Sequence, residues 1–180
     1  PRHFHTACPT CKGDGCDQCY QTGLLPQAAT VSWNELRLPE LLNLSVEDAL
    51  RIFSKRHLPG HASRLQDEIL RRLEALQQVG LGYVALNRPS PTLSRGESQR
   101  VRLAIILTSR LEDMLHVLDE PTIGQHPDDV AKLLEAFRQL TGPVVFVEHD
   151  RIAAAYADSA LDLGPGAGME GGKILFQGPP

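Results

Sequence analysis

The sequence predicts an α/β protein: a largely parallel strand layer, a helical subdomain before it, and a small cysteine module at the front. Three observations carry this. After residue 93, continuous apolar runs such as Val144-Val145-Phe146-Val147 alternate with segments of helical spacing. Strands buried on both faces read that way, and strands alternating with amphipathic helices indicate a parallel sheet. Between residues 45 and 80 the apolar residues instead recur at helical intervals. Finally, Cys8, Cys11, Cys16 and Cys19, all four of the cysteines, fall within twelve residues. A chain of 180 residues with 42% hydrophobic content suits one core plus a small appendage.

The elements follow in order. Residues 1–24 form the cysteine and glycine module. Residues 30–44 read as a short strand and a loop, with Pro39 as a breaker. Ser45-x-x-Asp48 resembles a capping box and opens a helix to about His57, after which Pro59-Gly60 breaks the chain. Ser63 can cap the next helix. Its stripe is Leu65, Ile69, Leu70, Leu73, Leu76 and Val79, with Gly80 as the stop. A helix spans 95–110, a strand 114–118, and Asp128 or Asp129 begins a helix carrying Val130, Leu133, Leu134, Phe137 and Leu140. Gly142-Pro143 precedes the strand 144–147. A short helix at 151–157, a strand at 160–163, a glycine-rich turn at 164–172 and a last strand at 173–177 complete the chain. The domain division is 1–24, 25–110 and 111–180.

The net charge of −4 hides an asymmetry. Residues 1–50 carry −3, residues 51–110 carry +7 and residues 111–180 carry −8. A polyanion would be met by the middle segment, where Arg64, Arg71 and Arg72 fall largely off the apolar stripe. The same arginines also suit a solvated helical face. No apolar stretch reaches the roughly 18 residues that cross a bilayer, and no signal-peptide pattern opens the chain. A cytoplasmic chain without a membrane partner is the expectation, and the start at Pro1 suggests a piece of a longer protein.

Cysteines clustered in this way favour a metal over disulfides. Each Cys-x-x-Cys makes a knuckle that can present two thiolates to one zinc ion. The four-residue spacer is short, and Gly13 and Gly15 supply the turn.

Three further motifs can carry chemistry. Leu93-Ser94-Arg95-Gly96-Glu97 opens a helix, where free N–H groups and the dipole favour an anion. A serine cap without a ligand fits the same residues. Leu115-His116-Val117-Leu118 ends in Asp119-Glu120-Pro121, which places carboxylates at the sheet edge where α/β folds bind ligands. Asp119 could hold Mg2+ and Glu120 could orient or deprotonate a water. An acidic strand end before a turn is the plainer alternative. His149 follows the next apolar run, and parallel pairing would bring it to the same edge. A structural histidine is its alternative, and His126 sits in the loop after Pro121. No G-x-x-x-x-G-K-[ST] loop occurs; Gly172-Lys173 is followed by Ile174 and has Ala167 in place of the first glycine.

In this order, the runs from Pro91 to Ala104, Val117 to His126, Val147 to Asp150 and Asp162 to Gly168 resemble the ATP-binding-cassette (ABC) ATPases. Within them the likeness is to the UvrA-type excinuclease family, to which Val79-Gly80-Leu81-Gly82-Tyr83 is also similar. The resemblance implies an ABC-ATPase-like layer with a helical signature subdomain and a small zinc module. It implies a signature motif at Ser94, Gly96 and Glu97 that meets ATP on a second ABC domain or a second copy. It implies Asp119 as the Walker B aspartate, Glu120 as the catalytic glutamate and His149 as the switch histidine. The loop Ile123 to His126 would pass between the two ATP sites. Arg95 departs from the family's usual glycine. The implied function is part of a DNA-damage-recognising ATPase of nucleotide excision repair. Its cofactors would be ATP, Mg2+ and Zn2+, and its partners damaged duplex DNA and other excision-repair proteins. Without a phosphate loop, the chain alone is expected to turn over no ATP. The alternative is a zinc-stabilised module that binds nucleic acid or protein and carries inert ATPase motifs. Cys8 to Gly23 also resembles the zinc repeats of DnaJ-type chaperones over that short stretch.

Overall fold

The computed structural model describes residues 6–33, 35–55, 57–109, 114–166 and 171–180. Pro1, the end of the helix expected at 95–110, the boundary at 110/111 and the middle of the turn 164–172 lie outside the described residues. The chain forms two compact units, one of Pro1–Gln77 with Leu81–Ser98, the other of Gln78–Gly80 with Gln99–Pro180.

The first unit opens on the cysteine module, closed by a bridge between Ala7 and Leu24 and by the Cys8 N–H donating to Gly23 O at 2.8 Å. Gly23 has a φ of +69°, and a Cβ there would lie 2.3 Å from the Gly13 carbonyl oxygen, so only glycine fits this crossing. A two-residue ribbon follows, β1 (Ser32–Trp33) antiparallel to β2 (Leu36–Arg37). Next come α1 (Leu38–Leu42), α2 (Val46–Ser54) and α3 (His61–Gln78). Pro39 is no breaker here. It occupies the first turn of α1, where its missing N–H costs no helical hydrogen bond. Ser45 caps α2 as expected, its Oγ accepting from the Asp48 N–H at 3.1 Å.

Helix α3 starts earlier than its serine suggested. Ser63 lies inside the first turn, and its Oγ donates to Gly60 O at 2.8 Å. The buried stripe also departs from expectation: Leu65 is 68% exposed while Gln66 is buried. Gln66 takes the inner position because its amide serves two backbone groups. Its Nε2 donates to Phe53 O at 2.6 Å and its Oε1 accepts from the Leu58 N–H at 2.7 Å. An apolar side chain would leave both unsatisfied. The core of this unit joins Val46, Ala49 and Phe53 of α2 to Leu73 of α3, with Trp33 stacked on Phe53 at 4.8 Å between ring centroids. Residues 82–87 return along α2, where Val46 and Glu47 N–H groups donate to Val84 and Gly82 carbonyls.

Helix α4 (Arg95–Thr108) begins at the last residues of the first unit and continues into the second. The second unit then holds β3 (His116–Asp119), α5 (Pro127–Phe137), β4 (Val144–Val147), α6 (Arg151–Ala155), β5 (Ala160–Leu163) and β6 (Ile174–Gly178). Helix α5 begins at Pro127, one residue before the expected aspartates, as proline suits the first helical position. Its Val130, Leu133, Leu134 and Phe137 are buried. Strands β3 and β4 pair in parallel, with His116 opposite Val144 and Asp119 opposite Val147. Gly142 permits this approach: a Cβ there would sit 2.4 Å from the Met114 carbonyl oxygen.

The expectation of a largely parallel sheet is met only at this pair. Among the described residues, β5 and β6 pair antiparallel and each sheet has two strands. The strands are also not buried on both faces. Leu118 is buried, whereas Val117 and Val147 are 67% and 59% exposed. Apolar runs signal the burial a strand can support, and here alternate positions of β3 and β4 meet solvent. Among the described residues, no helix is long and apolar enough to cross a membrane.

Candidate functional site

The helix start at residues 94–97 is held by reciprocal bonds. Ser94 Oγ accepts from the Glu97 N–H at 3.2 Å, and Glu97 Oε2 accepts from the Ser94 N–H at 2.7 Å. This is a capping box. A third bond comes from outside the helix, where Tyr83 Oη donates to Glu97 Oε1 at 2.9 Å. The Ser94 N–H, then Tyr83 and the Ser94 side chain, hold the buried Glu97 carboxyl down to about 2. Both Glu97 oxygens are thus engaged within the protein. The N–H groups of Arg95 and Gly96 belong to the first helical turn, where no preceding helical carbonyl is in place to accept from them. Arg95 is exposed and lies outside the positive-φ residues, so the larger side chain is accommodated without strain.

A second group of residues collects where β3 and β4 end. Asp119 is the last residue of β3, and among the described residues its carboxylate meets no cation. Glu120 turns sharply away with a φ of +45°. Its N–H donates to Val147 O at 2.9 Å, so parallel pairing extends one residue beyond the strand. His149 lies two residues past the end of β4, and its Nδ1 stands 3.7 Å from Glu120 Oε1. Asp150 caps α6 by accepting from the Ile152 and Ala153 N–H groups at 2.8 and 3.0 Å. Beside His149 and Asp150, a cavity of about 210 Å3 opens against the loop Thr122 to Pro127. Glu120, His149 and Asp119 therefore share one edge. A phosphate there would meet an acceptor that can orient water and an imidazole that can donate.

Three residues in this group stand outside the roles that the motifs suggested. Gln99 Nε2 donates to the carbonyls of Asp119 at 2.7 Å and Glu120 at 3.2 Å. Glu148 Oε1 accepts from Thr122 N–H at 2.8 Å and Thr122 Oγ1 at 2.6 Å. Only their neighbourhood to the motifs could have marked them.

The four cysteine sulfurs converge. Cys8 and Cys16 are 3.9 Å apart, Cys11 and Cys19 3.8 Å, and Cys16 and Cys19 3.7 Å, with all four within 4.8 Å of one another. Sulfurs at ~2.3 Å from one tetrahedral ion lie about 3.8 Å apart, so the set fits such an ion and is compatible with zinc. Burial works to raise the Cys19 thiol. Backbone N–H groups, chiefly of Cys16, and the neighbouring thiols overcome this and bring it down to about 6. The Cys16 thiol is drawn down by the Cys19 backbone but pushed up to about 11 by burial and by the Cys19 and Cys11 sulfurs. A bound cation would favour the thiolate form of all four.

On α3, Arg71 and Arg72 both pair with Glu68, at 2.5 and 2.9 Å. Their side chains hold the Glu68 carboxyl below the usual range. Arg64 is exposed on the same helix.

The capped helix start and the ends of the parallel strands β3 and β4 are thus where the motifs of the sequence fall. Over nine-tenths of its length the chain is homologous to UvrABC system protein A. It is 39% identical over 170 residues to that protein from Vibrio vulnificus (strain YJ016), 41% over 172 residues to that from Treponema pallidum (strain Nichols), and 44% over 170 residues to that from Xylella fastidiosa (strain 9a5c). These alignments cover 91–92% of this chain and 18% of each relative, so the chain spans about a fifth of their length. The crystal structure of UvrA2 from Deinococcus radiodurans superposes with a TM-score of 0.76 at 38% identity, covering 91% of this chain and 22% of that one. No protein-family model matches the chain.

Proposed function

We propose that this chain is the part of a UvrA-type ABC ATPase that carries the signature motif, the Walker B carboxylates and the switch histidine. The observation that supports it most is the approach of Glu120 and His149 at the ends of paired strands, in a chain homologous to UvrABC system protein A. Ser94 and Gly96 receive the phosphates of ATP held by a second ABC domain or a second copy, through the hydroxyl and the first-turn N–H groups. Glu97 supports them from within by holding the cap. Asp119 holds Mg2+, whose charge neutralises the phosphate oxygens when it is bound. Glu120 accepts a hydrogen bond from the attacking water and takes its proton, and His149 donates to the γ-phosphate.

Zinc at Cys8, Cys11, Cys16 and Cys19 stabilises the front module, which is too small to have a core of its own. In this reading the intact protein works in the cytoplasm on damaged duplex DNA, with other excision-repair proteins. Arg64, Arg71 and Arg72 contribute phosphate contacts. The divisions 1–24, 25–110 and 111–180 correspond to zinc module, signature subdomain and catalytic layer.

The test uses Mg2+-dependent ATP turnover. The 180-residue chain by itself is expected to hydrolyse no ATP, while the full-length protein does so and loses turnover on Glu120→Gln. Robust hydrolysis by the 180-residue chain, abolished by Glu120→Gln, would overturn the division of labour proposed here.

A further inference from the structure

We propose that Glu148 is a positioning residue that sets the turn carrying Glu120; this rests on the reading of Glu120 as the water-orienting group. Glu120 occupies the left-handed region at φ +45°, which a glutamate holds only where its surroundings impose it. Contacts from several sides impose it here. Behind the turn, the Glu120 N–H is tied to Val147 O. From α4, Gln99 bonds the Asp119 and Glu120 carbonyls. Ahead of the turn, the Ile123 N–H donates to Glu120 O at 3.1 Å. Thr122, two residues past Glu120 and 7% exposed, places both of its donors on Glu148 Oε1.

The Thr122–Glu148 clamp is the side-chain part of that restraint with a charged acceptor, and charge-assisted hydrogen bonds are the stronger kind. It also joins the two loops that bear the chemistry. Glu148 directly precedes His149, so fixing Thr122 to Glu148 fixes the loop of Glu120 to the loop of His149. The 3.7 Å separation of those two side chains depends on that union. Further, Glu148 Oε2 is buried and has no hydrogen-bond partner among the described residues. A buried acceptor left unpaired is destabilising, so stability alone does not select a carboxylate at this place. Geometry at the neighbouring turn accounts for it.

The experiment compares Glu148→Ala, Glu148→Gln, Thr122→Val and Glu120→Gln in the full-length protein, reading kcat and KM for ATP separately. Glutamine keeps an acceptor oxygen and should recover most of the function that alanine loses. Glu148→Ala is expected to lower kcat by about 10- to 100-fold, the scale of a small misplacement of a reacting group. KM for ATP should stay within about twofold, since binding is not what the clamp supplies. Thr122→Val should fall between wild type and Glu148→Ala. Adding Glu148→Ala to Glu120→Gln should cost nothing further. A purely structural role would lower the yield of folded protein and leave kcat per folded molecule, and that result overturns the proposal. So does a Glu148→Gln variant as slow as Glu148→Ala.

Amide exchange of the Thr122 N–H in the 180-residue chain supplies a readout independent of turnover. It should quicken at least about tenfold in Glu148→Ala and remain near wild type in Glu148→Gln. Wild-type turnover in Glu120→Gln would overturn the reading of Glu120 itself. Glu148 as the clamp of this turn is then decided by the exchange alone, and unchanged exchange in Glu148→Ala overturns it.

Discussion

His149 Nδ1 stands 3.7 Å from Glu120 Oε1, at the ends of two strands that pair in parallel from His116 and Val144 onward. The two residues are 29 positions apart in sequence. The parallel register brings them together, since Asp119 lies opposite Val147 and each motif residue follows its strand by one or two positions. In the full-length protein, Glu120→Gln is expected to lower ATP turnover by about 100-fold or more while nucleotide still binds, the usual weight of a general base. His149→Ala should also slow the chemical step. Single-turnover kinetics with a separate nucleotide-binding assay checks both.

The cap at Glu97 has a pH signature. Its carboxyl is held at about 2, against an ordinary 4.5, by Ser94 N–H, Tyr83 and the Ser94 side chain. A depressed value means the folded state favours the charged form, so the stabilisation is complete above about 4.5. It fades as pH falls toward about 2. Urea unfolding of the chain between pH 7 and pH 2 should show wild type more stable than Glu97→Gln at neutral pH. The difference should shrink across that acid window. Tyr83→Phe should narrow the window by removing one of the three contributions.

Metal removal should act locally. The sulfur separations of 3.7 to 3.9 Å fit one tetrahedral ion, and purified chain is expected to hold about one zinc per molecule. Cys16→Ser or Cys19→Ser should abolish that stoichiometry in elemental analysis. A chelator should expose residues 6–25 to proteolysis while the core of Val46, Ala49, Phe53 and Leu73 stays protected.

Charge on α3 is distributed unequally. Arg71 and Arg72 share Glu68, and Arg72 and Arg64 are both exposed. Charge reversal at Arg64, Arg71 and Arg72 together should weaken DNA binding by the full-length protein. It should also reduce the slope of log affinity against log salt by about 0.9 for each phosphate no longer neutralised. Glu68→Gln, by releasing two guanidinium groups, should steepen it. A salt titration of binding to duplex DNA distinguishes these arginines from a solvated face, for which neither change alters the slope.

Much of this was legible in the residues. Ser45 and Asp48 marked the start of α2 because capping is an interaction between residues three apart. Val130, Leu133, Leu134 and Phe137 marked the buried stripe of α5 through helical period alone. The four cysteines named their own cluster, since two knuckles separated by four residues can scarcely avoid each other. Where local rules failed, a distant partner had intervened. Gln66 displaced Leu65 from the core because Phe53 and Leu58 needed its amide. The strand runs read as doubly buried, yet Val117 and Val147 meet solvent, because apolar content says nothing of what covers each face.

The sequence by itself determined the order of helices and strands from residue 45 onward, the cysteine cluster and the three motifs, since each rests on residues close in the chain; it missed α1 at Leu38–Leu42. Only the tertiary structure decided that Glu120 adopts a left-handed turn, that Tyr83 completes the Glu97 cap, and that Glu148 grips Thr122. The last two join residues 14 and 26 positions apart. Hydrogen bonds at such range depend on strand register and loop path, and no local propensity encodes either.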